Sequence, residues 1–232
     1  MAIRMTPHIV SRIDRSSPIE DPLRSQFIPL KSDFIPDHPE LNGNIVHQYP
    51  DKMATKAQIR SQIDIKGLCV APSRTVDSNN TWTDALFGLS NHGKQMGKEY
   101  LHTHSNHPNE ISWVTTEKTQ KLFQTGVRAC NQPMLLRGIN DTVSVLSAPI
   151  RELIDNHVDP YYVYQCNMAP GIDNIRTLLS TIHELQHQIR GSIGGYSMPQ
   201  FVVNLPGGGG KRLAADYLTY NHDTGLPTWK AP

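Results

Sequence analysis

One lysine stands out among the residues that could do chemistry, because of the segment before it. Lys211 follows four consecutive glycines at 207–210, and these follow the apolar run at 201–203. The apolar run predicts a buried strand, and glycines let the backbone approach a ligand closely. The pattern therefore indicates either a reactive amine delivered at a strand end or a flexible turn with a solvated lysine. A Walker A phosphate loop is excluded, because Leu205 and Arg212 stand where its first glycine and its Ser or Thr are needed.

A second pattern could bind a metal. Residues 183–187 read His-Glu-Leu-Gln-His, which matches the HExxH pattern of zinc peptidases. A catalytic zinc site needs a third protein ligand, yet no glutamate follows Glu184, and Ile193 stands where the extended form has a histidine. The pattern thus favours a solvated helix face, and a zinc peptidase stays the less favoured alternative. The residues that could still supply a third ligand are Asp216, His222 and Asp223.

The cysteines indicate a reducing compartment. Cys69, Cys130 and Cys166 are odd in number and far apart, and the chain contains no CxxC and no CxxxCxxC pattern. This argues against a disulfide framework and predicts an intracellular protein, cytoplasmic by default, with a mitochondrial location left open. No metal ligand set is predicted.

Composition excludes two classes of partner. The chain of 232 residues has 22 Lys and Arg against 21 Asp and Glu, so there is no basic surplus for nucleic acid or an anionic membrane. No apolar stretch approaches the length of a membrane span, and the start of the chain lacks the apolar core of a secretory signal.

The elements that would position these residues are organised in three parts. We predict a proline-rich, extended N-terminal arm at 1–52, a junction at 53–66, and repeated βα units at 67–232. Polar residues at the strand ends would line one rim, because these ends recur at about the 30-residue spacing of a (β/α) barrel unit. The strand ends lie near His104, Gln132, Gln165 and Asn204. A core-facing helical stripe is also predicted, from Ile175, Leu178, Leu179, Ile182, Leu185 and Ile189.

Six segments, in this order, resemble lysine 2,3-aminomutase and its relatives. They lie at residues 5–7, 47–51, 102–110, 131–141, 160–166 and 201–211. The resemblance implies a radical S-adenosylmethionine enzyme that also uses pyridoxal phosphate and moves an amino group between neighbouring carbons of an amino acid. It further implies an α/β fold: an incomplete parallel (β/α) barrel, about the C-terminal half to two-thirds of a radical S-adenosylmethionine partial barrel.

The same resemblance implies roles for particular residues. Lys211 matches the lysine that binds pyridoxal phosphate covalently, and it is the expected catalytic residue. Gln132 matches a residue near the cofactor phosphate, His104 matches one that contacts S-adenosylmethionine, and Lys52 replaces a phosphate-binding arginine. Lysine is a weaker geometric match for a phosphate clamp than arginine. For Lys211, Gln132 and His104, the competing interpretation is a polar residue that caps a strand.

The sequence also departs from the family pattern. In the family, the segment at 47–51 runs into a CxxxCxxC loop that holds a 4Fe-4S cluster, but here Lys52 follows and no such loop is present. Asn167 and Asn204 replace two aspartates that bind the distal ammonium of lysine, so lysine is not the expected substrate. Thr142 replaces a zinc-ligand cysteine, which predicts no structural zinc.

Two interpretations remain open from the sequence. The first is an aminomutase-family isomerase that still binds pyridoxal phosphate through Lys211 but is catalytically incompetent alone. The second is a non-catalytic truncated remnant that binds neither cofactor nor cluster well.

The missing cluster-bearing segment also has a consequence for stability. Without it, the strand at 68–71 loses its neighbouring strand, which predicts a marginally stable protein that self-associates through an exposed sheet edge.

Overall fold

The computed structural model describes residues 7–28, 30, 67–69, 100–124, 126–166, 172–205 and 209–230. The predictions for Lys52, Asn167 and the junction at 53–66 lie outside the described residues. The described part is mixed α/β, and its strands alternate with helices after residue 100.

Five α-helices and ten short strands make up most of the described part of the chain. The helices are α1 (Pro7–Ser11), α2 (Pro22–Phe27), α3 (Trp113–Gln124), α4 (Val143–Asp155) and α5 (Leu179–Ile189). The strands are β1 (Gly67–Cys69), β2 (Tyr100–Thr103), β3 (Arg128–Asn131), β4 (Met134–Leu135), β5 (Val158–Pro160), β6 (Tyr162–Gln165), β7 (Gln200–Leu205), β8 (Gly210–Leu213), β9 (Thr219–Asn221) and β10 (Leu226–Thr228).

The strands form two four-stranded sheets and a small hairpin. The first sheet has the order β1-β2-β3-β5 and is parallel throughout. The second has the order β4-β6-β7-β8, in which only β8 runs antiparallel. Strands β9 and β10 pair as the hairpin. The predicted α/β class with parallel sheets is confirmed, whereas the incomplete barrel stays a prediction.

The two sheets meet where the strands break. The backbone N–H of Gln132 donates to the carbonyl of Thr103 at 2.9 Å, and that of Tyr161 donates to the carbonyl of Asn131 at 2.9 Å. The strand ends predicted near Gln132 and Gln165 match β3 and β6, which end at Asn131 and Gln165, whereas β5 was not predicted. Pro160 within β5 explains this miss, because proline cannot donate to a sheet ladder and weakens a strand pattern.

Helices α3, α4 and α5 pack apolar side chains against the sheets. One cluster belongs to the first sheet and comprises Leu101, Ile111, Leu122, Val127, Ala129, Leu153 and Val158. The other belongs to the second sheet and comprises Leu135, Leu146, Val163, Leu179, Ile182, Leu185, Ile189, Phe201, Val203 and Ala214. No helix in the described residues is long and apolar enough to cross a membrane.

The predicted stripe on α5 is only partly right. The four members within the helix, Leu179, Ile182, Leu185 and Ile189, are buried as predicted. The prediction that Leu178 faces the core is wrong, because this residue is 67% exposed. The physical reason is where the helix begins: Leu178 has an extended backbone with ψ of 157° and precedes the first helical turn.

Ile175, another member of the predicted stripe, lies outside α5. It belongs to a short 3-10 helix, Asp173–Ile175, rather than to α5. There it packs, half-buried, on a separate small cluster of Leu136, Ile139 and Cys166. The helical spacing of apolar residues in the sequence therefore begins before the first residue of α5, Leu179.

The N-terminal helices lie against the segment that follows β2. In α1, the His8 imidazole shares a hydrogen bond of 2.9 Å with the Ser112 hydroxyl. Just within the end of α2, the Gln26 amide donates to the Glu110 carboxyl at 3.0 Å. This part of the arm therefore supports the loop that carries His104.

Candidate functional site

Lys211 lies in β8 rather than in a loop at a strand end. It is the second residue of this strand and pairs in register with Asn204 of β7. Gly210 takes a φ of +68°, which L-residues rarely adopt. Gly209 has no room for a side chain, because a Cβ there would lie 2.6 Å from the Cβ of Leu205. The predicted delivery of Lys211 at a strand end is thus corrected to delivery by a strand that returns along β7.

Two tyrosine rings lie near the Lys211 amine. Its Nζ is 5.1 Å from the ring centroid of Tyr164 and 5.6 Å from that of Tyr162. Both distances are within the range of a cation–π interaction. The lysine is exposed, so a ligand can reach the amine from solvent. Strand β6 therefore provides an aromatic surface for the ammonium that β8 delivers.

His104, Gln132 and Tyr164 form a hydrogen-bonded chain beside this surface. Nε2 of His104 lies 3.0 Å from Nε2 of Gln132, and the Tyr164 hydroxyl donates to Oε1 of Gln132 at 3.4 Å. His104 follows β2, Gln132 follows β3, and Tyr164 belongs to β6. The neighbouring parallel strands β2 and β3 thus bring His104 and Gln132 together, and β6 of the second sheet adds Tyr164. Ligands of open parallel sheets bind at the carboxyl ends of the strands.

The electrostatics of the site disfavour a second cation beside Lys211. Burial, and secondarily the charge of Lys211, lower the pKa of His102. Burial also lowers the pKa of His104; a hydrogen bond to the backbone of Gln132 opposes this effect, and His102 and Lys211 add to it. Both imidazoles are accordingly neutral around neutral pH.

The structure brings most of the predicted site residues together. Lys211, His104 and Gln132 share one site, and Asn204 lies beside Lys211 on the neighbouring strand. The positions of Lys52 and Asn167 fall outside the described residues.

Three further residues of the site were missed by sequence reasoning. They are His102, Tyr162 and Tyr164. The signal was available for His102, because residues two apart on a strand share a face and His102 precedes His104 by two. It was ambiguous for the tyrosines, since aromatic residues are common in ordinary strands.

Cys130 and Cys166, the two cysteines whose side chains the structure describes, lie on different elements. Cys130 belongs to β3, whereas Cys166 follows β6 and packs with Leu136 and Ile139. Burial raises the pKa of both thiols, that of Cys166 to about 11. Two cysteines on different elements do not supply the three closely spaced thiolates that a cluster needs.

His183, the first histidine of the HExxH pattern on α5, uses one ring nitrogen for a hydrogen bond within the protein. Nε2 of His183 lies 2.8 Å from the carbonyl of Ala214, so that nitrogen carries a proton and is not available to a metal. The cavity beside it has a volume of about 280 Å³ and is lined in part by His187, Arg190 and Tyr217. Among the residues with described positions, no group of three or more His, Cys, Asp or Glu side chains could hold a metal ion.

Thr142, which the resemblance aligns with a zinc-ligand cysteine, caps a helix in the structure. Its hydroxyl accepts a hydrogen bond from the backbone N–H of Val145 at 3.4 Å and caps the N-terminus of α4. Such a cap satisfies one of the backbone donors that a helix start leaves unpaired.

Comparisons with known proteins agree with the sequence resemblance. The chain is 44% identical over 137 residues to an L-lysine 2,3-aminomutase of Clostridium subterminale, covering 58% of this chain and 33% of that protein. It is 39% identical over 118 residues to an L-lysine 2,3-aminomutase of Bacillus subtilis, covering 51% of this chain and 25% of that protein. A glutamate 2,3-aminomutase of Clostridioides difficile is 38% identical over 126 residues, covering 54% of this chain and 30% of that protein.

These matches confirm the resemblance to the 2,3-aminomutases. The chain spans about a third of the length of the curated relatives it matches. No protein-family model matches the chain.

Proposed function

We propose that this chain is a 2,3-aminomutase-type protein whose Lys211 binds pyridoxal phosphate covalently, and that it does not generate a radical by itself. The observation that carries the proposal is the position of Lys211. A returning strand places its amine near two tyrosine rings, beside the chain of His104, Gln132 and Tyr164.

The residues of the site fit pyridoxal phosphate. When bound, this cofactor supplies an aldehyde that bonds to a lysine amine and a ring that accepts electrons. Lys211 offers the amine, and Tyr162 and Tyr164 offer flat faces against which an aromatic ring can stack. Gln132 is buried and provides an amide donor. Lys52 is proposed as a further phosphate partner from the sequence alone.

The substrate is proposed to be an amino acid whose side chain lacks an ammonium group. Asn204 pairs with Lys211 across β7 and β8, so it contributes a neutral amide next to the lysine. A neutral amide attracts an ammonium far less than a carboxylate does. Asn167 is proposed to act with Asn204 from the sequence resemblance. One of the relatives is a glutamate 2,3-aminomutase, so an acidic amino acid is the first substrate to test.

We propose that the radical must come from a source other than a 4Fe-4S cluster bound by the cysteines of this chain. A cluster needs three closely spaced thiolates, and the sequence has no CxxxCxxC pattern. We expect anaerobic reconstitution with iron and sulfide to leave no stable 4Fe-4S cluster. A cluster that survives desalting would contradict this part of the proposal.

Covalent labelling tests the cofactor proposal. The protein is mixed with pyridoxal phosphate, reduced with borohydride, digested and mapped by mass spectrometry. We expect the label on Lys211 and its loss in Lys211→Ala, with labelling intact in Lys230→Ala, which alters another exposed lysine. Wild-type protein without a label on Lys211 would refute cofactor binding and favour the non-catalytic alternative.

A further inference from the structure

Gln132 contacts His104 through both its side chain and its backbone. The side-chain amide lies between two partners: its nitrogen is 3.0 Å from Nε2 of His104, and its oxygen is 3.4 Å from the Tyr164 hydroxyl. Gln132 is buried, with 9% of its surface exposed, so the amide is held by these neighbours rather than by solvent.

The backbone of Gln132 also forms a hydrogen bond with the His104 ring. Its N–H already donates to the carbonyl of Thr103 at 2.9 Å. The hydrogen bond between the His104 ring and the Gln132 backbone raises the pKa of His104, although burial lowers that pKa more strongly. A bond that favours the protonated ring must be an imidazole N–H donated to a carbonyl.

The side-chain contact then determines the other ring nitrogen. A carboxamide nitrogen is a donor only, and the Tyr164 hydroxyl donates to the oxygen of the same amide. The ring nitrogen that faces the amide nitrogen, Nε2, must therefore accept. In a neutral imidazole the proton is then left on Nδ1.

We propose that Gln132 is a positioning residue that holds His104 as the neutral tautomer with its proton on Nδ1 and a lone pair on Nε2. The meaning of this tautomer for catalysis rests on the proposed function, because His104 lies in the site of Lys211. The tautomer itself does not depend on a bound cofactor.

The charges around His104 are consistent with a neutral ring. Lys211 on β8 and His102 on β2 face it, and each would repel an imidazolium. Tyr164 on β6 is also titratable, and it meets His104 through Gln132. A neutral His104 adds no positive charge beside the Lys211 amine.

The test is the protonation of the two ring nitrogens, read by ¹⁵N NMR of the full chain with labelled histidine. The His104 signals are assigned by their loss in His104→Gln. We expect Nδ1 to be protonated and Nε2 to be unprotonated at neutral pH in the wild-type protein. A proton on Nε2 instead, or a doubly protonated ring, would overturn the inference.

Gln132→Glu tests whether Gln132 sets this state. Glutamate has nearly the same shape, but its carboxylate only accepts. We expect Nε2 to gain a proton and the pKa of His104 to rise, because a carboxylate favours the charged ring. An unchanged tautomer and pKa in a folded variant would show that Gln132 only fills space. If the variant does not fold, the wild-type spectrum still decides.

Two controls separate this inference from the proposed function. Tyr164→Phe removes the hydroxyl but keeps the backbone contact between Gln132 and His104, and we expect the Nδ1 tautomer to persist; its loss would overturn the role of that contact. Borohydride labelling of Lys211 is measured on the same samples. Failure to label wild-type Lys211 counts against cofactor binding and leaves the tautomer result standing, whereas a wrong tautomer leaves the labelling standing.

Discussion

At the scale of single residues, Glu110 is a fully buried carboxyl group between the N-terminal arm and the loop after β2. One of its oxygens receives hydrogen bonds from the Gln26 amide and from the backbone N–H groups of Asn106 and His107. The other oxygen is buried and has no hydrogen-bond partner among the described residues. Burial raises the pKa of Glu110 to about 7, and the hydrogen bonds oppose the rise. The link between the arm and the loop is therefore sensitive to proton binding.

We predict that Glu110→Gln flattens the pH dependence of stability. The pKa of Glu110 is about 7 in the folded protein against an ordinary value of 4.5, so the folded state binds this proton more tightly. Its stabilisation is fully present below 4.5 and is lost as pH rises through about 7. A difference of this size corresponds to roughly 3 kcal/mol.

The measurement is chemical denaturation at a series of pH values between about 4 and 8, the window that this pKa defines. The free energy of unfolding of the wild-type protein should fall more steeply with rising pH than that of Glu110→Gln. Glu117→Gln changes an exposed carboxyl on α3 and should behave like wild type. Parallel curves for wild type and Glu110→Gln would contradict the assignment.

At the scale of elements, the β7–β8 hairpin decides where the reactive amine lies. Its turn depends on Gly210, whose φ of +68° suits glycine, and on Gly209, which packs against Leu205. The pairing of Asn204 with Lys211 then fixes the lysine opposite the apolar strand β7. A substitution in the turn should therefore displace the Lys211 amine even though Lys211 itself is unchanged.

We predict that Gly210→Ala slows the labelling of Lys211 by pyridoxal phosphate and borohydride. A left-handed backbone costs an L-residue about 1–2 kcal/mol, and this strain would displace β8. Gly225→Ala is a matched control, because Gly225 also has a φ of +68° but lies in the β9–β10 turn. At both positions an added Cβ would meet its nearest neighbour only at 3.9 Å, so the two substitutions differ little in steric crowding.

Both glycine variants should lower the free energy of unfolding by a similar amount, measured by thermal or chemical denaturation. Only Gly210→Ala should reduce the rate of Lys211 labelling. Equal labelling rates in the two variants would mean that the turn does not position the amine.

At the scale of the whole molecule, the feature that bears on self-association is the β1 edge of the first sheet. Among the described strands, β1 pairs with β2 alone and is the edge of that sheet. An edge strand presents unpaired backbone groups that can pair with another chain. This edge is therefore the place where the self-association expected from the sequence would occur.

We predict that the purified chain self-associates as its concentration rises. Sedimentation velocity at several micromolar concentrations should show a growing fraction of dimers or larger species, because pairing at the β1 edge would satisfy backbone donors and acceptors that β2 does not pair. Leu68→Pro, inside β1, should suppress the association, since proline cannot donate to a sheet ladder. A monomer at all concentrations with a sharp, reversible melt would refute the prediction.

The sequence alone determined the kinship and the types of side chain available for chemistry. The segments around His104, Gln132 and Lys211 carried the resemblance that the comparisons confirm, because side-chain types and their order are written directly in the chain. The parallel α/β class also followed from the sequence, since short apolar strands that alternate with helices have few other solutions. The absence of a CxxxCxxC pattern was likewise evident without a structure.

Only the tertiary structure decided how these residues meet. It placed Lys211 on a returning antiparallel strand near Tyr162 and Tyr164, and it linked His104 to Tyr164 through Gln132. Contacts between residues far apart in the chain depend on strand register and on backbone hydrogen bonds, neither of which leaves a local pattern. The burial of a carboxyl group such as Glu110, and with it the raised pKa, likewise arises from packing between distant segments.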